Sequence, residues 1–520
     1  MRSFLRPAIA VVILAALVAA VTPASAATLV VASETDPDSL DPALAYAPET
    51  WQVLVNAGEG LLAFRREEGP AGAEVVPALA GMPSISDGGR RLTFRLRDDA
   101  RFGPPADRPV RPSDLKASIE RLFASESPGR GLYRGIRGAR RFERTGEGGI
   151  AGIVARDAAG EVEFRLARPD PSFLRVLALP FAFALPSGTP VARRDAAPAA
   201  SAGHYRVAAY RPGDRIVLER NPGRATGPER IEVRLGVDAD DAARLVAKGE
   251  IDYVQSRLPP ARARAVAEGS RARVLRHVEG TTYYFFMNGR RPPFDDARVR
   301  RAVNLALDRP ALAAAFAGEA VPTAQVLPPG VPGHLAEPVP APDLPAARAL
   351  VRGAGAQGAR VEVWGQTAEP SPALTRRLAA TLREIGLSPR IRLWDRNALI
   401  GALADPDAPS QIGYARWRQN YPDGADWFGL LLSGSAIRAG ANLNYALLDD
   451  DRVDRLIARA SGTWDPELRA RRWAAVQRAV RALGAWAPFA NSVRTDLVSA
   501  RVGGYTAHQL YGFLWMRARL

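Results

Sequence analysis

Residues 361–393, VEVWGQTAEPSPALTRRLAATLREIGLSPRIRL, carry the pattern that decides the fold class. Val361 and Val363 alternate with Glu362, as a strand with one covered face requires. Leu374, Leu378, Leu382 and Ile385 then recur at helical spacing, and Gly386 can take the left-handed conformation that ends a helix. Ile391 and Leu393 restore the alternation. Strand, helix and strand in that order form a βαβ unit with a right-handed crossover expected, so the chain reads as α/β.

The same mixture extends toward both ends. Thr28 to Ala32 reads as a strand broken by the loop formers Asp36, Pro37, Asp38, Asp41 and Pro42. Leu92, Phe94 and Leu96 alternate, and so do Val162, Phe164 and Leu166. Pro112 and Ser113 open a helix carrying Leu115, Ile119, Leu122 and Phe123. Tyr205, Val207 and Ala209 lead through Pro212, Gly213 and Asp214 into Ile216 and Leu218, the signature of a hairpin. A short helix from about Asp240 to Lys248 stops at Gly249, and a strand follows from Ile251 to Val254. Val321 to Pro345 is Pro-rich and irregular. Near the end, Trp473, Val476, Val480 and Leu483 form a core-facing stripe, with Arg469, Arg471, Arg472 and Arg478 read as its solvated side.

Arg2 and Arg6 precede an apolar run from Ala8 to Val21, and Ala24, Ser25 and Ala26 complete an A-x-A site, so residues 1–26 read as a signal peptide cleaved after Ala26. The apolar run is shorter than the roughly 20 residues that span hydrocarbon, and Pro23 closes it. The chain contains no cysteine, which excludes disulfides and a thioether-linked lipid. More than 490 of the 520 residues remain after cleavage, enough for two or three domains. The formal charge is +15, but the 70 basic residues are Arg except for Lys116 and Lys248 and are spread along the chain. Nucleic-acid binding would concentrate them with stacking aromatics, so no nucleic-acid partner is expected.

Catalytic patterns are thin. H-E-x-x-H, G-x-S-x-G and P-loop sequences are absent, and His204, His277, His334 and His508 are scattered. Asp295 with Asp296, and Asp449 to Asp451, stand in turn-like contexts. A secreted hydrolase using two cleft carboxylates, or a basic envelope- or nucleic-acid-binding protein, stand as the rival readings.

Three segments together resemble the extracytoplasmic solute-binding proteins of family 5, the peptide and nickel type that serves ATP-binding-cassette (ABC) importers. They are residues 31–43, VASETDPDSLDPA; residues 284–309, which include YFFMN, RPPFDD, RVRRAVN and DR; and residues 417–423, WRQNYPD. Weaker echoes lie at Arg168–Leu174, at Gly213–Pro222 and at Gly249–Asp252, so the match is collinear over the chain after the signal. The resemblance implies a two-lobed periplasmic binding-protein fold of type II, in its large peptide-binding class. Its first lobe would span 27–283 plus 490–520, with an inserted subdomain at about 62–165, and its second lobe 284–489.

The implied function is capture of a peptide or peptide-like solute by hinge closure, followed by delivery to an ABC membrane permease. Enzymatic activity, a cofactor and a bound metal are not expected. The protein would be a periplasmic monomer without a lipid anchor. Implied ligand contacts are Ser39, Leu40 and Tyr46 in the opening loop, Tyr284 and Asn288 where the chain crosses between lobes, and Trp417, Arg418, Asn420, Tyr421 and Asp423 in the third segment. Of Tyr283 and Tyr284 one should face the cleft and the other the interior, and family position favours Tyr284 for the cleft.

In peptide-binding members an aspartate of the third segment pairs with the ligand's ammonium; here that position is Asn420. An enclosed ammonium without its charge partner costs roughly 3–5 kcal/mol. A free peptide N-terminus is therefore not expected to be gripped unless Asp423 or Asp426 points into the cleft. The basic balance further suggests an anionic or zwitterionic ligand.

Overall fold

A computed structural model describes residues 27–191, 200–224 and 226–520. The signal peptide expected at 1–26 lies outside the described residues. One eleven-stranded sheet organises the chain. Its strands are β1 (Thr28–Ala32), β2 (Tyr205–Arg211), β3 (Arg215–Arg220), β4 (Arg230–Arg234), β5 (Tyr253–Val254) and β6 (Arg273–Met287). They continue as β7 (Ala320–Pro322), β8 (Arg360–Gln366), β9 (Ser388–Trp394), β10 (Ile412–Arg418) and β11 (Trp486–Val498). The spatial order is β9-β8-β10-β6-β11-β5-β1-β4-β3-β2, with β7 beside β11.

The two long central strands hold two half-sheets together. The N-terminal half of β6, Arg273 to Val278, pairs with Val498 to Val493 of β11, and β5 continues the sheet on that side. The C-terminal half, Thr282 to Phe286, pairs with Asn491 to Trp486 and on its other edge with β10. Between them the register shifts from Val278 to Thr282, the mark of a bulge, which bends a strand and increases its twist. Gly280 sits in this break because a Cβ there would meet the Gln419 side chain at 2.2 Å. The molecule is thus two-lobed and α/β, with both crossings made by strands.

Alternation along β6 sends its side chains into two cores. Tyr283, Phe285 and Met287 join the cluster formed with Val299, Val303, Leu374, Leu378 and Leu382. Tyr284 and Phe286 join Trp364, Trp427, Trp473 and Val476 on the opposite face. Tyr284 is only 2% exposed and stacks on Trp486 with ring centroids 3.5 Å apart, so it does not face the cleft as family position suggested. The expected βαβ unit is present as β8, the helix Ser371–Glu384 and β9, the strands pairing in parallel. Leu393 is nevertheless exposed, because β9 is the edge of the sheet.

In the first lobe β1, β3, β4 and β5 bury Leu29, Val31, Leu218, Val233 and Tyr253 in one cluster. A separate core draws on Ala43 to Ala202 together with Tyr421, Leu510, Tyr511 and Leu514, closed by the four-stranded antiparallel sheet of Ser84–Ser86, Arg91–Arg95, Glu161–Arg165 and Ile153–Arg156. One other reading changes. Arg469 is buried and lies on the apolar stripe of the helix Pro466–Leu483, one turn before Trp473, instead of on its solvated side. Arg300, within the run 298–301, is also buried, donating to the carbonyls of Phe294 and Leu483.

His508 in the returning C-terminal segment is buried; its Nδ1 accepts from the Leu510 amide at 3.1 Å and Nε2 lies 2.9 Å from the Gly72 carbonyl, so the ring is neutral. Burial lowers its pKa from 6.5 to about 4. Its stabilising contribution is full above pH 6.5 and is lost as pH falls toward 4, reaching on the order of 3 kcal/mol. Thermal melts at pH about 7.5 and about 4.5 should show a larger loss in wild type than in His508→Gln. Equal losses would assign the acid sensitivity to other groups.

Candidate functional site

A cavity of about 480 Å³ opens where the half-sheets meet. Its walls come from Tyr46–Pro48 and Trp51 of the first lobe, from Glu279, Thr281 and Ser492 beside the strand crossing, and from Tyr283, Arg396 and Arg416–Asn420 of the second lobe. The opening loop is held by carboxylates that the sequence marked as turn formers. Asp38 accepts from the amides of Ser39, Tyr46 and Ala47 at 3.0, 2.7 and 2.9 Å. Asp41 receives both arms of Arg121 at 2.8 and 2.6 Å, while the Ser39 hydroxyl accepts from the Asp41 amide.

Among the opening-loop candidates only Tyr46 reaches the cavity. It is 51% exposed, and its hydroxyl donates to Asn420 Oδ1 across the cleft at 3.0 Å. Ser39 is buried in the turn, and Leu40 borders a different cavity of about 420 Å³ inside the first lobe. Asn288 is buried as well; its side chain donates to the Ser410 carbonyl and accepts from the Arg290 amide, which makes it a turn builder.

The third segment divides by depth. Trp417, Arg418 and Asn420 line the cavity. Asn420 is occupied on both sides: Nδ2 donates to Asp426 Oδ1 at 2.8 Å while Oδ1 accepts from Tyr46. Asp426, on the short π-turn Ala425–Gly429, also receives the Asn420 amide and the Trp417 indole N–H. Burial pushes the Asp426 carboxyl up to about 6 against these donors.

Tyr421 projects into the first-lobe core. Asp423 is fully buried and held by Arg469 through two bonds at 2.8 and 2.7 Å, with Arg175 of the first-lobe helix Phe173–Val176 at 3.3 Å. Burial alone would raise its pKa, but Arg175 and Arg469 hold it below the usual carboxylate range. Neither Asp423 nor Asp426 therefore offers a free carboxylate to the cleft. Tyr421 and Asp423 join the lobes.

Several wall residues were missed in the sequence. Tyr283 faces the cavity in place of Tyr284, opposite Arg416 in the β6–β10 pairing. Arg416 was findable from Arg418, since positions i and i+2 of a strand share a face. Glu279 carried no signal, because its role depends on the irregular register. It pairs with Arg257 and accepts from Ser492 Oγ at 2.6 Å. Burial would raise its pKa, yet Arg257, Arg418 and Arg494 outweigh this and bring it to about 2.

A two-lobed α/β frame with a cavity between its halves is an architecture that can enclose a solute. The chain belongs to the bacterial extracellular solute-binding proteins, family 5, whose middle region matches residues 74–438. It is 27% identical over 513 residues to the probable di/tripeptide-binding protein 5 of Pseudomonas aeruginosa, covering 93% of this chain and 94% of that one. Identity to the glutathione-binding protein GsiB of Salmonella typhi is 26% over 505 residues, covering 94% and 93%. Among solved structures, the clavulanic acid biosynthesis oligopeptide binding protein 2 superposes with a TM-score of 0.83 at 27% identity, covering 95% of each chain.

Two outcomes follow from the third segment. Arg469→Met should lower unfolding stability in urea by about 3–5 kcal/mol, and adding Asp423→Asn should cost far less than the sum of the two single changes; strict additivity would contradict the pairing. Asn420→Asp sets a second carboxylate against Asp426. It should lower the melting temperature more at pH 8 than at about 5.5, where Asp426 retains its proton; a pH-independent effect would contradict that contact.

Proposed function

We propose that this chain is the solute-capturing component of an ABC importer, closing its lobes around a peptide or peptide-like solute and delivering it to a membrane permease. One observation carries the reading. The cavity is walled by both lobes and by the two strands that join them, so a ligand there contacts every part that moves in a hinge closure. Family membership and the di/tripeptide- and glutathione-binding names of its relatives support the choice of solute.

The reading includes export to the periplasm, removal of residues 1–26 and free diffusion as a monomer, since a chain without cysteine has no attachment point for a thioether-linked lipid. Residues Tyr46, Tyr283, Trp417, Arg418 and Asn420 are the proposed ligand contacts. The role is binding without turnover. Glu279, the carboxylate among the described lining residues, is held ionised by its arginines, and Asp426 lies behind Asn420.

Thermal melts with dipeptides, tripeptides and glutathione test this. A bound member at a hundred times its Kd should add about 2.7 kcal/mol of stability, with the peptide recovered intact by mass spectrometry. Stabilisation by none of them, or cleavage of the peptide, would contradict the proposal.

A further inference from the structure

The charges lining the cavity are lopsided. Arg257, Arg396, Arg416 and Arg418 face it, against Glu279 among the described residues. Arg257 and the Ser492 hydroxyl already engage Glu279. Among the described residues, the side chains of Arg396, Arg416 and Arg418 have no hydrogen-bond or ion-pair partner, although Glu279 and Glu49 lie within electrostatic reach of Arg418. Arg416 and Arg418 stand on one face of β10, opposite Tyr283 and Thr281, with their Cα atoms about 7 Å apart. Arg396 opens the helix Arg396–Leu403 at another part of the wall.

Guanidinium groups are always charged, and each presents a fork of donors matched to a carboxylate. All three are exposed to the open cleft and carry no bonded partner among the described residues, so an anion that enters can engage them directly. Around Asn420 the cleft offers no free carboxylate: Asn420 is neutral, Asp426 is covered by donors, and Asp423 is locked between Arg469 and Arg175.

We propose that this cleft selects a solute carrying two or more acidic groups and does not require a free ammonium: an acidic or N-blocked peptide, or a non-peptide polycarboxylate. The inference rests on the solute-binding reading above and deepens it. One terminal carboxylate would occupy one of these forks and leave the others unpaired.

Calorimetry with N-acetyl-triglutamate, trialanine and citrate tests it. N-acetyl-triglutamate should bind at least about tenfold more tightly than trialanine at low salt, and the advantage should shrink at about 0.5 M salt. The double change Arg416→Gln, Arg418→Gln should weaken acidic-peptide binding by about tenfold or more. The same charge change at Arg140 and Arg141, exposed on the first-lobe helix Ala139–Thr145, should not. If the cleft variant does not fold, the wild-type comparison of probes and salts decides alone.

Trialanine bound as tightly as the acidic peptide would overturn the proposal and leave peptide capture standing. Citrate bound through Arg416 and Arg418, with neither peptide bound, would uphold it and remove peptide capture. Binding of none of the probes would overturn it, as would equal acidic-peptide affinity in the two arginine variants.

Discussion

The pairing of β6 with β11 is the constraint on which the rest of this molecule depends. Each strand belongs to both lobes, and their shared ladder loses register between Val278 and Thr282. A continuous ladder would make one rigid sheet, whereas two separate strands would leave the lobes to drift. The break interrupts the pairing of β6 with β11 beside the cavity, while Thr281 keeps its place opposite Arg418 of β10. Glu279, Gly280 and Thr281 occupy it, and two of them line the ligand space. Bending and binding therefore share residues.

Contacts between the lobes set how far that bend can run. Tyr421 of the second lobe packs in the first-lobe core, and Arg175 reaches the Asp423–Arg469 pair. Tyr46 meets Asn420 at the cleft mouth through one exposed hydrogen bond. The buried contacts are costly to break, because a lone charge would remain inside. The exposed one is cheap to exchange for water or ligand. Opening is thus expected to begin at Tyr46, with the Tyr421 and Asp423 contacts acting nearer a pivot.

Much of the fold was legible because burial imposes periods. The βαβ unit, the hairpin after Tyr205 and the helix ended by Gly249 all follow from alternation, helical spacing and turn residues. The candidate site was legible only in part. Trp417, Arg418, Asn420 and Tyr46 do line the cavity, but Ser39, Asn288 and Asp423 build turns or buried pairs, and Tyr284 belongs to the core. A resemblance marks which segments lie near a site, whereas which face of a strand turns inward depends on register. The one-residue difference between Tyr283 and Tyr284 is that dependence at its smallest. Arg469 was misassigned for another reason: charge outweighed its position on the apolar stripe, and the buried partner Asp423 lies 46 residues away.

The central claim is that the lobes pivot about the break in β6 and β11 to enclose a solute. Small-angle X-ray scattering of residues 27–520, alone and saturated with a peptide shown to bind by calorimetry, tests it most directly. The account predicts a smaller radius of gyration in the bound state. Saturation without any change would contradict it.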